Sequence, residues 1–137
     1  MESRSQRSVI ATPEAATYTT RIAARGHEII ADEPAEKGGS DLGMTPHEML
    51  LGALVSCTSI TLQMYARRKE WDIMPMKVHA FMDRSQKGAE VDTVILVELE
   101  LPERLSQEQR TRLKQIAAKC PVHRTLHSAI RIEMEER

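Results

Sequence analysis

The sequence predicts a mixed fold in which antiparallel strands surround one long, buried helix. Residues 49–66 carry no charge, whereas the segments on either side are rich in β-branched residues and are divided by turn residues. A chain of 137 residues fits a single domain over residues 1–137, and roughly two thirds of its unfolded surface could be buried on folding.

The first strands are expected before the helix. Residues 8–12 predict one strand, and residues 16–32 predict two more that meet at a tight Arg25-Gly26 turn. The following residues, 33–44, contain Pro34 and three glycines and predict a loop.

The central helix is expected to begin at the sequence Thr-Pro-His-Glu, residues 45–48. Thr45 suits the N-cap, Pro46 suits the first helical position, and the Glu48 carboxylate can bond back to the Thr45 amide. The helix then continues to about Glu70. Its apolar residues lie almost all round it, which predicts a buried helix.

A second subunit is the expected cover for this helix, because so short a chain has little material to wrap it. Gly52, Ser56 and Ser59 form a small-residue face that allows close approach of another helix. The sequence therefore predicts a homodimer. Five polar residues between positions 56 and 63 interrupt the apolar run, so a membrane span is not expected.

The second half of the chain predicts a hairpin, two helices and a last strand. Residues 76–84 and 91–101 are expected to pair across a Lys87-Gly88 turn. Ser106 and Gln109 form the signature of a second capping box. Pro121 ends that helix and opens a shorter one with Cys120 as its N-cap. Alternation over residues 129–135 predicts a final strand.

The net charge and the first residues of the chain limit which class of protein is expected. The 19 Lys and Arg residues against 20 Asp and Glu residues give a net charge of -1, and no basic stretch interleaved with aromatics suggests nucleic acid as a partner. The first residues lack the apolar run of a secretory signal. We therefore expect a cytoplasmic protein whose two cysteines remain thiols.

The two thiols are predicted to lie in different surroundings. Burial in the apolar helix would raise the pKa of Cys57, and taken alone this residue could be an inert core side chain. Cys120, at a helix start with Lys119 and Arg124 nearby, is expected to ionise more readily, although it could also be a structural cap.

A metal site is the competing interpretation of these residues. Cys57, Cys120, His123 and His47 could in principle supply two sulfurs and two nitrogens. None of them shows the close cysteine spacing that is typical of zinc sites. The sequence accordingly predicts neither a metal nor an organic cofactor.

Three segments resemble the OsmC/Ohr family: Gly-Met-Thr-Pro-His-Glu-Met-Leu-Leu at residues 43–51, Ser-Cys-Thr at 56–58, and Lys-Cys-Pro-Val at 119–122. The resemblance covers nearly the whole chain. It implies an α+β fold in which two chains intertwine, with a site at each dimer interface. In the peroxidase branches the central-helix cysteine is peroxidatic and the second is resolving, which here implies Cys57 and Cys120.

The resemblance transfers less well to the family's other functional residues. The peroxidase branches have a glutamate after the helix-opening proline that orients an essential arginine, whereas this chain has His47. Glu48 lies about 180° round an ideal helix from Cys57. The resemblance implies that the arginine comes from the early strands, with Arg21 preferred to Arg25. This departure indicates an OsmC-like branch outside the well-characterised Ohr proteins.

The expected function is reduction of a small-molecule organic hydroperoxide by the two thiols, which an external thiol or dithiol then resets. Apolar walls formed by Met49, Leu54 and Met64 would favour organic peroxides over hydrogen peroxide. A non-catalytic stress-response or apolar ligand-binding protein is the alternative, and thiol-based acyl or sulfur transfer is a third.

Overall fold

The computed structural model describes residues 6–137 and divides into two compact units, residues 1–50 and 51–137. The single domain expected from the sequence remains a prediction. The elements are β1 (Ile10–Pro13), β2 (Thr20–Ala24), β3 (His27–Ala31), α1 (Pro46–Lys69), β4 (Lys77–Lys87), β5 (Glu90–Glu100), α2 (Gln107–Ala117) and α3 (Pro121–His127), with a short 3-10 helix at Ala35–Lys37.

The first unit contains an antiparallel sheet in the order β1-β2-β3. Its β2–β3 register places Ile22 opposite Ile29, and the connecting turn is the predicted Arg25-Gly26 pair. Arg25 has φ 52° and Gly26 has φ 83°. Two successive positive φ values are typical of the two-residue turns whose twist matches that of antiparallel strands.

A buried carboxylate organises the loop after β3. Asp32 is 2% exposed, and its Oδ2 accepts a hydrogen bond of 2.6 Å from the Thr19 hydroxyl. Oδ1 accepts from the amides of Glu33 (2.7 Å) and Ser40 (3.3 Å), and Oδ2 also accepts from the amide of Leu42 (3.2 Å). The Thr19 hydrogen bond, opposed by burial and supported by these amides, lowers the pKa of Asp32.

We expect Asp32→Asn to lower the stability of the chain at neutral pH, because an amide cannot accept four hydrogen bonds as a carboxylate does. The depressed pKa of Asp32 means that its stabilisation is complete above the ordinary value of 3.8 and is lost as the pH falls below it. Denaturant unfolding between about pH 2 and pH 7 should show the difference between wild type and variant shrinking in acid. An equal loss from Asp83→Asn, at an exposed position on β4, would contradict this role.

Helix α1 begins with the predicted capping box. The Thr45 amide donates to the Glu48 carboxylate at 2.9 Å, and the Glu48 amide donates to the Thr45 hydroxyl oxygen at 3.2 Å. Pro46 is the first helical residue, where its missing N–H is not needed. These contacts satisfy backbone donors that the first turn would otherwise leave without partners.

Thr45→Ala is expected to cost about 1 kcal/mol of unfolding free energy because the cap is lost. Glu48→Gln should change stability by only a few tenths of a kcal/mol, since glutamine also completes a capping box. Urea unfolding of both variants checks the stability values. A large loss of peroxidase rate in a folded Glu48→Gln protein would show instead that this carboxylate takes part in the chemistry.

The core of the second unit is built on α1. Leu62 and Leu113 have no exposed surface, and they pack in one cluster with five further buried residues: Tyr65, Ala66, Ile73, Leu105 and Ile116. In the single chain one side of α1 is exposed, at 51% for Ile60 and 64% for Met64, so complete burial of the helix with a second subunit as cover stays a prediction. The apolar pattern indicates which side chains of α1 must be shielded from water, and either this chain or a second chain could shield them.

By length and composition α1 could also cross a membrane, since its most apolar window has a mean hydropathy of 1.4. The core helix of a water-soluble protein meets the same criterion. Leu62, Tyr65 and Ala66 lie in the core of the second unit.

Strands β4 and β5 form the predicted hairpin, in which Met82 pairs with Ile95. The two-residue turn is Gly88-Ala89, one position later than expected, and Gly88 has φ 62°. One face of the hairpin is half-buried through Ile95 and Val97. Both residues line a cavity within the second unit, together with Leu54 of α1 and His123 of α3.

The last two helices follow the local signals in the sequence. Ser106 and Gln109 exchange the two hydrogen bonds of a capping box at the start of α2. Pro121 occupies the first position of α3, and Cys120 is the N-cap. Both predictions are confirmed.

The predicted final strand is absent from the single chain, where residues 129–135 have no strand structure. Its alternating apolar side chains are left exposed, at 55% for Ile130, 81% for Ile132 and 91% for Met134. An alternating segment forms a strand only when another strand takes up its backbone hydrogen bonds. Within residues 6–137 no strand pairs with this segment.

Candidate functional site

Cys57 lies in the middle of α1 with a half-buried side chain. Burial, together with the neighbouring Cys120 thiol, raises the pKa of Cys57, while hydrogen bonds from the Val122 amide and the Thr61 hydroxyl act in the opposite direction. The predicted direction is confirmed. Cys57 is therefore a partly accessible thiol whose pKa lies above its ordinary value.

Cys120 has no exposed surface and caps α3, with the His123 amide donating to its sulfur at 3.3 Å. Burial opposes its ionisation, but hydrogen bonds from the Cys57 thiol, the His123 amide, the Thr58 hydroxyl and the Val122 amide outweigh it. The net result is a lowered pKa of Cys120. The sequence also predicts a lowered pKa for Cys120.

The two thiols are neighbours that shift each other's pKa, and both cysteines are free. The pKa of Cys57 is raised and that of Cys120 is lowered, so Cys120 is the thiol that ionises more readily. Such coupled thiols titrate as a pair.

Two threonines at this site were not anticipated from the sequence. The Thr58 hydroxyl donates to the Leu54 carbonyl oxygen at 2.9 Å, and Thr58 also lowers the pKa of Cys120. Thr61 lies one helical turn after Cys57 and lowers the pKa of that thiol. The spacing of four residues was the available signal, since it places Thr61 beside Cys57 on one helix face.

The other residues proposed from the sequence lie in the first unit. Arg21, on β2, forms an ion pair of 3.5 Å with Glu14, and Arg25 occupies the turn before β3. His47 and Glu48 lie in the first turn of α1, where Glu48 is engaged in the capping box. Their participation at the thiols stays a prediction.

No group of three or more His, Cys, Asp or Glu side chains in the described range 6–137 is arranged to hold a metal ion. His123 and His127 lie close, with ring centroids 6.2 Å apart. The chemistry of the site is thus that of two adjacent sulfurs with hydroxyl and amide donors around them.

The structure is an α+β fold with antiparallel sheets and one long helix, and Cys57 lies on that helix. A sequence profile described as OsmC-like protein matches residues 38–135. The chain therefore belongs to the OsmC-like family. Comparison with curated protein sequences found no match.

Solved structures of OsmC-like and organic hydroperoxide resistance proteins share this fold. An OsmC-like protein from Mycoplasma pneumoniae has a TM-score of 0.77 at 19% identity, over 90% of this chain and 88% of its own. A putative osmotic stress induced and detoxification response protein from Psychrobacter arcticus has a TM-score of 0.75 at 18% identity, over 91% of both chains.

A third related structure contains a bound small molecule. It is a putative organic hydroperoxide resistance protein from Vibrio cholerae, with captopril bound in one of its active sites. It has a TM-score of 0.68 at 20% identity, over 92% of this chain and 87% of its own. At these identities the likeness concerns the fold alone.

Proposed function

We propose that this chain is a thiol-dependent peroxidase that reduces organic hydroperoxides through Cys57 and Cys120. The supporting observation is a pair of neighbouring free thiols, Cys57 partly accessible and Cys120 buried, that shift each other's pKa. Membership of a family whose related folds include organic hydroperoxide resistance proteins supports the same assignment.

Accessibility assigns the first step to Cys57, because Cys120 has no exposed surface for a peroxide to reach. The Cys57 thiol passes its proton to Cys120, and the Cys57 sulfur attacks the terminal oxygen of ROOH. The O–O bond breaks, the alkoxide takes up from water the proton that Cys120 released when it ionised and leaves as the alcohol ROH, and Cys57 becomes a sulfenic acid. Because the pKa of Cys57 is raised, this proton transfer is the step that stabilisation of the thiolate would assist.

Cys120 completes the cycle. Its sulfur attacks the Cys57 sulfur, hydroxide leaves and takes up the thiol proton as water, and a Cys57–Cys120 disulfide forms. The peroxide gains two electrons and the thiol pair loses two, so ROOH and two thiols give ROH, water and a disulfide. An external thiol or dithiol then restores both cysteines by exchange.

We also propose that a second subunit and an arginine complete the site. Arg21 is the first choice and Arg25 the second for a cation that stabilises the Cys57 thiolate. His47 occupies the position at which the peroxidase branches carry a glutamate, so the arginine must be oriented by another group. We propose that the protein acts in the cytoplasm, where a reducing pool keeps both thiols ready.

The proposal is tested by peroxide consumption. Purified wild type with dithiothreitol should remove cumene hydroperoxide catalytically, whereas Cys57→Ser should fall to the rate of dithiothreitol alone. Ser85→Ala, at an exposed position on β4, is the control and should retain activity. Wild-type consumption no faster than that of Cys57→Ser would refute the peroxidase assignment.

The raised pKa of Cys57 also favours a second function, in which the thiols are unreactive and the protein binds a small apolar ligand in a stress response. A related fold binds captopril in an active site, which is consistent with a site that accepts small molecules. Under this alternative, ligand binding would persist in Cys57→Ser while no peroxide is consumed by any form.

A further inference from the structure

A small cavity in the second unit is lined by residues of α1, β5 and α3. Its volume is about 230 Å³, and four apolar side chains form most of its walls: Leu54, Ile95, Val97 and Leu126. The polar side chains that line it belong to Thr93, His123 and His127. The cavity is smaller than the roughly 300–1,000 Å³ that is usual for organic ligands, but it has room for an ion with a few water molecules.

The two histidines have the spacing and the separation of a pair of metal ligands. They lie four residues apart on α3, which places both rings on one face of that helix. Their ring centroids are 6.2 Å apart. Two imidazoles that share one ion through metal–nitrogen bonds of about 2.0–2.1 Å have their centroids about 5 Å apart. Because the His127 side chain is exposed, its rotation can close the remaining distance of about 1 Å.

The ring nitrogens of both histidines are available to an ion. Within residues 6–137, no hydrogen bond or ion pair engages the ring nitrogens of His123 or His127, whereas His79 pairs with Glu100 at 3.5 Å. No carboxylate lines the cavity. Nitrogen ligands without carboxylates favour the late first-row transition ions over Mg²⁺ and Ca²⁺, which require oxygen ligands.

The cavity lies away from the part of α1 that a second subunit is predicted to cover. Leu54 is 4% exposed and lies about 160° round an ideal helix from Ser56 of the small-residue face. The cavity is also separate from the buried thiol. Cys120 caps the same helix α3, but it has no exposed surface for an ion to reach.

We propose that His123 and His127 bind one divalent ion of the late first row, such as Zn²⁺ or Cu²⁺, and that water completes its coordination. The ion joins the first and last turns of α3 and thereby stabilises the short helix whose N-cap is Cys120. The site takes no part in the proposed peroxide chemistry and does not depend on it.

The test is calorimetric titration of Zn²⁺ into the full-length protein with Cys57→Ser and Cys120→Ser, which removes the two sulfurs that would otherwise bind zinc. Serine is a favoured N-cap, so α3 should keep its start. We expect one Zn²⁺ per chain. His123→Gln and His127→Gln should each weaken binding by about 100-fold, because the second ligand of a joined pair binds at a high effective concentration. His27→Gln, at an exposed histidine on β3, should leave binding unchanged.

A spectroscopic measurement identifies the ligands directly. Electron paramagnetic resonance of Cu²⁺ bound to the same protein should show coupling to two nitrogen ligands. If Cys120→Ser unfolds the chain, Cys57→Ala with Cys120→Ala supplies the thiol-free protein for both measurements. Absence of saturable Zn²⁺ binding, unchanged binding in both cavity variants, or an equal loss in His27→Gln would overturn the inference. Because neither measurement involves a peroxide, the result is independent of the peroxidase assignment.

Discussion

One equivalent of cumene hydroperoxide is expected to convert the reduced chain into a form about 2 Da lighter, with Cys57 and Cys120 joined as an intramolecular disulfide. The physical basis is that the two thiols are already neighbours in the reduced chain, close enough to shift each other's pKa. Intact-mass measurement followed by peptide mapping identifies the bond.

The single variants separate the two roles. Cys120→Ser should stop at a Cys57 sulfenic acid, which excess peroxide carries on to sulfinic acid, because no thiol is left to condense with it. Cys57→Ser should remain unmodified, since Cys120 is fully buried. Both thiols still reduced in wild type after treatment would contradict the peroxidase proposal.

A third outcome would reverse the assignment of the nucleophile. Hydrogen bonds to the Cys120 sulfur lower its pKa, so Cys120 is the sulfur that ionises more readily, and only its burial keeps peroxide away. Oxidation of Cys120 at a comparable rate in Cys57→Ser would show that local opening at α3 exposes it. Cys120 would then be the first sulfur to react.

Local chemistry is the part of this fold that the sequence predicts well. The Thr45 and Ser106 caps, the Arg25-Gly26 turn and the Cys120 N-cap each depend on residues within a few positions of each other. The directions of the Cys57 and Cys120 pKa shifts were predicted from helix interior and helix start, but the contact between the two thiols also contributes to both shifts.

Features that depend on residues far apart in the chain, or on a second chain, could not be predicted from local sequence patterns. The proximity of the two thiols requires α1 and the start of α3 to meet, which no local pattern encodes. The loop-organising role of Asp32 requires donors from before and after it in the chain. The exposed face of α1 and the unpaired segment 129–135 depend on what covers them.

The homodimer predicted from the small-residue face of α1 can be tested at Gly52. A Cβ added there meets no atom within 4 Å in the single chain, so an isolated monomer would tolerate Gly52→Leu and gain helix propensity. A partner helix packed closely on this face would leave no room for the leucine. The same substitution therefore has opposite effects in the two cases.

We expect wild type to be a dimer at micromolar concentration by light scattering, and Gly52→Leu to weaken the dimer by at least about 100-fold, roughly 2.7 kcal/mol. Overpacking at a closely approached interface has costs of this order. Gly52→Ala should show a smaller effect in the same direction, and Ala118→Leu, at an exposed position after α2, should leave the dimer intact. A folded wild-type monomer would show that there is no dimer, and the exposure of Ile60 and Met64 would then need another explanation. A Gly52→Leu protein that is dimeric and more stable would show that the dimer contact lies elsewhere.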